Sequence, residues 1–189
     1  MAKVKVKIRF ISLTYLLKLF LLLCLSFVLL SGLCHLLDLH INVTSSLPYG
    51  LYKKVDKTDI CKGDIILFCL EGEQAEFAKK RNYLIFGSCP NDMAPIGKKV
   101  IATKDDHITL NNEGIKVNGT LLEKTAPLAF DGEGRDLPLK VIDRSLNDNE
   151  YFTASQKEDS FDSRYFGVIS KSQISGVLIP VFTFNQDHE

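Results

Sequence analysis

Tryptophan is absent from the 189 residues, and methionine occurs only twice. Other absences decide more. Residues 1–37 contain no acid. No Cys-x-x-Cys occurs, and His35, His40, His107 and His188 stand at no ligand spacing. That excludes the common zinc motifs and leaves no metal or cofactor to expect. The 23 basic and 23 acidic residues cancel, so whole-chain charge gives no reason to expect a nucleic-acid partner. Neither internal repeats nor a long amphipathic helical pattern is present, which points away from an all-helical architecture. With 46% hydrophobic residues the chain is not disordered, and its length suits one compact domain.

What is present is unevenly placed. Lys3, Lys5, Lys7, Arg9 and Lys18 put five positive charges before residue 38, so the remainder carries five net negative ones. From Leu19 to Leu37 run 19 residues without formal charge, and Phe10 to Leu17 extends this stretch toward the N-terminus. About 20 apolar residues cross a bilayer as a helix. Basic residues before the span predict a cytoplasmic N-terminus, and Lys18 reaches the interface along its own aliphatic stem. A cleaved signal peptide is the rival reading, but the stretch exceeds an apolar region of roughly 7–15 residues, and no small-residue cleavage site follows it. Leu33 before Cys34 also departs from a lipoprotein motif. The expected organisation is therefore a cytoplasmic basic segment over residues 1–9, a transmembrane signal anchor over 10–37, and a domain over 38–189 on the periplasmic side of the inner membrane. In that oxidising compartment Cys61, Cys69 and Cys89 cannot all pair with one another, and a Cys69–Cys89 bridge is possible.

The body reads as β structure with polar turns. Gly63-Asp64 opens an Ile65–Phe68 strand. Residues 73–81 suggest one or two helical turns, and Tyr83 to Phe86 is an apolar run. Ile96 to Thr103 reads as a strand, and Ile108–Leu110 with Ile115–Val117 as a hairpin. Residues 123–149 are a loop-rich excursion with weak periodicity. Tyr151–Thr153 is extended. Val177 to Phe184 is a last strand that Pro180 assigns to an edge or a bulge. The fold class expected is mainly β: one all-β domain behind one transmembrane helix.

Three segments carry chemistry. Asn42 to Tyr52, N-V-T-S-S-L-P-Y-G-L-Y, is a hydroxyl-rich turn running into Leu-Pro; by itself it needs no function. In Pro95 to Ala102, P-I-G-K-K-V-I-A, strand alternation places Lys98 on one face with Ile96, Val100 and Ala102. Burial there disfavours the charged amine, and a neutral amine acts as a general base; a Lys pair guarding a sheet edge is the other reading. In Ser160 to Gly167, S-F-D-S-R-Y-F-G, alternation puts Ser160, Asp162 and Arg164 on one face. That Asp–Arg pair either braces a site or is an ordinary surface pair of little worth.

In this order, behind an apolar span, the segments resemble the type I signal peptidase family, which uses a Ser–Lys dyad. T-S-S-L-P-Y-G-L-Y, with G-D-I-I-L-F-C and G-S-C-P ahead of the Lys strand, is similar in particular to the TraF-type conjugative-transfer peptidases. The resemblance covers about residues 42–180. It implies Ser46 as nucleophile and Lys98 as general base, with Thr44 and the Ser46 backbone N–H as the oxyanion donors. It further implies Ser160 as the hydroxyl that orients the Lys, Asp162 and Arg164 as a bracing pair, and Lys99 as a basic, non-catalytic neighbour. Two turns depart from the family pattern. Thr103-Lys104-Asp105-Asp106 stands where Leu-Pro-Gly-Asp is usual, and Gln156-Lys157-Glu158-Asp159 where Gly-Asp-Asn-Arg is usual.

The reaction so implied is hydrolysis of a signal peptide from a membrane-inserted precursor, with small residues preferred one and three positions before the scissile bond. TraF-type similarity implies a pro-pilin of a conjugative transfer system as substrate, with conjugation or secretion machinery as further partners. Ser46 lies nine residues after Leu37, a reach of at most ~32 Å when extended, so the lipid bilayer itself is an expected partner. A general signal peptidase, and an inactive scaffold of a secretion apparatus that keeps the fold, are the alternatives. A self-cleaving repressor would need a DNA-binding helical module that the sequence lacks.

Overall fold

The computed structural model describes residues 12–184. The basic segment 1–9 and the first residues of the expected span lie outside the described residues. Helix α1, Leu13–Leu36, is followed by a body that begins at His40. Its 24 residues carry one formal charge, Lys18, and bury no side chain. At 1.5 Å per residue it is about 36 Å long, longer than the ~30 Å hydrocarbon core of a bilayer. Length and composition therefore suit it to cross a membrane.

The body is mainly β. One seven-stranded sheet has the order β1-β2-β11-β3-β4-β9-β10, and a four-stranded sheet the order β7-β6-β5-β8. The strands are β1 Leu39–Asn42, β2 Gly50–Val55, β3 Ile65–Phe68, β4 Ile96–Ala102, β5 His107–Asn111, β6 Gly114–Val117, β7 Thr120–Leu121, β8 Ile142–Ser145, β9 Glu150–Thr153, β10 Ile169–Ser170 and β11 Ile174–Thr183. The expected Ile65–Phe68 strand and the Ile108–Val117 hairpin are both present, the latter as β5 and β6.

Three apolar clusters form among the described residues, and β4 with β9 links the two larger ones. Val100 and Tyr151 pack with Ile66, Phe68 and Val177 in the first core, while Ala102 and Phe152 pack with Ile108, Leu110 and Ile115 in the second. β4 follows the period of two that its sequence announces. Ile96, Lys98, Val100 and Ala102 are buried, and Lys99 is exposed. Antiparallel pairing sets Lys98 opposite Ile66 of β3.

Pro180 satisfies both parts of its expectation. β11 is paired to β3 only as far as Leu178, so beyond it β2 is its one partner, and the register shifts between Pro180 and Phe182. An absent N–H costs least at such a place.

Two segments left without an assigned element take definite form. The apolar run Tyr83–Phe86 makes an isolated bridge between Phe86 and Met93, and Ile85 and Phe86 are exposed. The loop-rich excursion 123–149 contributes one strand, Ile142–Ser145, which pairs with β5 as β8. Asp131 organises its middle, accepting from Tyr83 Oη (2.6 Å), Arg135 Nε (2.7 Å) and the backbone N–H groups of Glu133 and Arg135. One reading is corrected, that of Ser160–Arg164 as alternating strand positions, and it is described with the site.

Between β3 and β4 lies an insert containing α2, Gly72–Lys80. A Cys69–Cys89 disulfide closes it, the pairing the sequence left open. Phe77 and Tyr83 of the insert pack on Phe161 at ring-centroid distances of 6.3 and 5.0 Å. The bridged residues are 20 apart in sequence, and closing a loop of that length stabilises the fold by about 3 kcal/mol. Urea unfolding of the chain with Cys69→Ala and Cys89→Ala is expected to show a loss of that size.

Candidate active site

The turn between β1 and β2 is organised by Asn42. Its side-chain oxygen accepts from the Thr44 N–H (3.2 Å) and the Thr44 hydroxyl (2.7 Å), and its amide donates to the carbonyls of Thr44, Leu47 and Pro48 at 2.9–3.1 Å. Two apolar contacts seat the turn. Leu47 is buried with Tyr52, Leu67 and Leu178. Gly97 leaves room for it: a Cβ there would lie 3.1 Å from Leu47 Cδ1. The half-buried Ser46 is thereby set over β4 at Lys98.

The Lys98 amine lies 2.7 Å from Ser46 Oγ and 2.7 Å from Ser160 Oγ. Lys98 is only 4% exposed. Among the described residues no carboxylate forms an ion pair with it. Burial pushes its pKa from the ordinary 10.5 down to about 8; Asp162 pulls it back up and Arg164 presses it further down. A Lys of this kind loses its proton at mildly alkaline pH and is then a base within hydrogen-bond reach of a hydroxyl.

Ser160, Asp162 and Arg164 do converge, but not by strand alternation. Asp162 caps a one-turn helix, α3 (Ser163–Phe166), and accepts the Arg164 backbone N–H. Capping needs a short acceptor side chain just before the helix, and Asp supplies it. The same carboxylate binds Arg164 Nε and one terminal nitrogen at 2.8 Å each, the bidentate geometry that suits guanidinium to carboxylate. Both side chains are fully buried, which excludes the surface-pair reading. The remaining Arg164 donors hold the carbonyls of Lys157 (2.7 Å), Glu158 (3.0 Å) and Ser160 (3.2 Å). Arg164 thus fixes the backbone that carries the Ser160 hydroxyl to Lys98.

Of the residues singled out in the sequence, Ser46, Lys98 and Ser160 meet directly, and Asp162 and Arg164 stand behind Ser160. Thr44 does not join them: it is exposed and gives its hydroxyl proton to Asn42. The Ser46 backbone N–H has no hydrogen-bond partner among the described residues and remains free to donate. Lys99 points away, exposed. The atypical turn after β4 forms with Asp105 at a φ of 67°, a conformation that Gly adopts most readily and Asp tolerates. Asn42, and Ser155, whose hydroxyl donates to the Ser46 carbonyl at 3.4 Å, are not among the residues that the sequence motifs mark. An Asn two positions before a turn hydroxyl was a usable cue for the first; no periodic cue marks the second.

Removing one partner of a buried ion pair leaves an unpaired buried charge, at about 3–5 kcal/mol. Asp162→Ala and Arg164→Ala are each expected to lose that much stability, and the double variant far less than the sum. Chemical denaturation of the three variants checks this; additive losses would mean that the pair is not coupled.

Comparison with known proteins agrees with the geometry. A family model described as signal peptidase, peptidase S26, matches residues 12–183. A plasmid transfer protein TraF of Escherichia coli is 38% identical over 160 residues, covering 82% of this chain and 89% of the relative. A probable conjugal transfer protein TraF of Sinorhizobium fredii is 34% identical over 148 residues, covering 76% and 77%. A conjugal transfer protein TraF of Agrobacterium fabrum is 33% identical over 148 residues, covering 77% and 82%. A match along nearly the whole of the described chain, together with relatives of this identity and coverage, places the protein in the signal peptidase family, peptidase S26.

Proposed function

We propose that the chain is a membrane-anchored serine endopeptidase that removes the signal peptide from an exported precursor, using Ser46 and Lys98. The observation that carries this reading is the buried Lys98 amine, 2.7 Å from the Ser46 hydroxyl, with its pKa brought down to about 8. Neutral Lys98 takes the Ser46 proton as Oγ attacks the scissile carbonyl. Negative charge develops on the carbonyl oxygen, where the free Ser46 N–H is the donor at hand; such a donor is worth roughly 3–4 kcal/mol in comparable sites. Thr44 serves there by exchanging its bond to Asn42 for one to the substrate oxygen. Protonated Lys98 then gives its proton to the leaving amine, and water, deprotonated by Lys98, releases the acyl group from Ser46. Ser160 holds the amine in line throughout.

The TraF relatives support a precursor belonging to a conjugative transfer system, a pro-pilin, as the substrate. α1 supports anchorage of the domain in a membrane; the basic residues before it and the absence of acids up to residue 37 support a cytoplasmic N-terminus and a periplasmic catalytic domain at the inner membrane. Such a precursor presents its cleavage site just past its own apolar segment.

Processing of a pro-pilin by the full chain in detergent tests the reading. Ser46→Ala and Lys98→Ala are expected to abolish cleavage, and Lys99→Ala to leave most of it. Full activity in either of the first two would sink the dyad, and stoichiometric binding of the precursor without cleavage by the wild type would favour an inactive scaffold. Rescue of cells depleted of their general signal peptidase would remove the specialisation. Because the neutral amine is the base, kcat/KM should rise with pH, pass its midpoint near about 8 and level off above it. A buried charged amine opposes folding, so Lys98→Met is expected to unfold no earlier than the wild type at a pH of about 6, while cleaving nothing.

A further inference from the structure

Two hydroxyls must reach one amine, and they come from distant parts of the chain. Ser46 arrives on the β1–β2 turn, and Ser160 on the segment joining β9 to α3. Arg164 and Asp162 secure the second. Asn42 secures the first within its own turn and Leu47 seats that turn on β3, β4 and β11, but neither makes a hydrogen bond to the segment that carries Ser160.

Ser155 stands between the two. β9 runs out beside Lys98, the Ala154 N–H donating to the Lys99 carbonyl at 3.3 Å, and Ser155 follows. Its own N–H donates to Asp162 Oδ2 at 3.0 Å, which fastens it to the buried Asp162–Arg164 pair. Its hydroxyl donates to the carbonyl of Ser46 at 3.4 Å and accepts the Lys157 N–H at 3.3 Å. One small side chain therefore touches the backbone of the Ser46 turn, the backbone leading to Ser160 and, through its N–H, the carboxylate that holds Arg164.

Resting on the Ser–Lys reading above, we propose that Ser155 is a positioning residue that fixes the nucleophile's turn against the Ser160 segment through its hydrogen bond to the Ser46 carbonyl. The Ser46 carbonyl belongs to the residue that carries both the attacking oxygen and the oxyanion N–H, so holding it sets both. A hydroxyl is required because the position must donate to Ser46 and accept from Lys157 at once. The contact is long and half-buried, so its loss lets water satisfy the Ser46 carbonyl and the Lys157 N–H. The effect then falls on alignment rather than on folding, and a displacement of about 1 Å at reacting atoms costs up to about a hundredfold in rate.

The test compares Ser155→Ala and Ser155→Thr in the full chain, with a pro-pilin as substrate. Ser155→Ala is expected to lower kcat by about ten- to a hundredfold. KM should stay within about twofold of wild type, because the group contributes to alignment and not to ground-state binding. The pH midpoint should remain near about 8, since the burial of Lys98 is untouched. Ser155→Thr keeps the hydroxyl and should recover most of the lost kcat. Wild-type kcat in Ser155→Ala, a Thr variant no better than the Ala variant, a loss confined to KM, or a loss fully explained by a lowered unfolding midpoint would each overturn the proposal. Activity in Ser46→Ala or Lys98→Ala marks failure of the dyad itself; if both are dead and Ser155→Ala is fully active, only the role of Ser155 has failed.

Discussion

The site depends on one costly placement: an amine on the inward face of a strand, withdrawn from water. A Lys at the ordinary pKa of 10.5 is protonated at neutral pH and useless as a base; burial of Lys98 brings it to about 8. That shift survives only if no carboxylate pairs with the amine, because an adjacent negative charge restores the proton. The partners supplied are accordingly two neutral hydroxyls, Ser46 and Ser160. The neighbouring acid, Asp162, spends its charge on Arg164 in a bidentate, fully buried pair. Arg164 therefore does two things: it opposes the pull of Asp162 on the Lys98 proton, and it grips the backbone from Lys157 to Ser160.

How much of this was legible in the sequence follows from the kind of interaction involved. β4 was legible because burial on one face of a strand leaves a period of two, and a Lys that falls on the apolar phase of that period stands out. The hairpin from Ile108 to Val117 was legible through its turn chemistry. By contrast, Ser160, Asp162 and Arg164 gather through a helix cap and through bonds from a side chain to carbonyls before it in the chain. Those contacts have no period, and strand alternation is the wrong geometry for three residues that nevertheless meet. Thr44 shows what a motif leaves out. The family resemblance implies a donor to the substrate there, and in this structure Asn42, two residues earlier, accepts its hydroxyl proton. Ile85 and Phe86 belong to an apolar run and are nonetheless exposed, in a stretch held by the Cys69–Cys89 disulfide and the Phe86–Met93 bridge.

Polar groups crowded into a small core weaken it, and the surrounding structure compensates locally. A buried Lys, a buried Arg and a buried Asp stand beside the first apolar core, each a group that cores normally exclude. The insert between β3 and β4 leans on this weak place from outside. Phe77 and Tyr83 pack on Phe161, the residue directly after Ser160, and Phe161 in turn packs on Tyr165 and Phe166 of α3. The Cys69–Cys89 bridge limits how far the insert can move away, and Asp131 ties Tyr83 to the 123–149 excursion. The two segments with the weakest sequence signals are thus the ones that press on the Ser160 turn. Their hold on the site runs through Phe161 and Tyr165, the sequence neighbours of Ser160 and Arg164: Phe77 and Tyr83 pack on Phe161, and the Leu128 N–H donates to the Tyr165 hydroxyl at 2.9 Å.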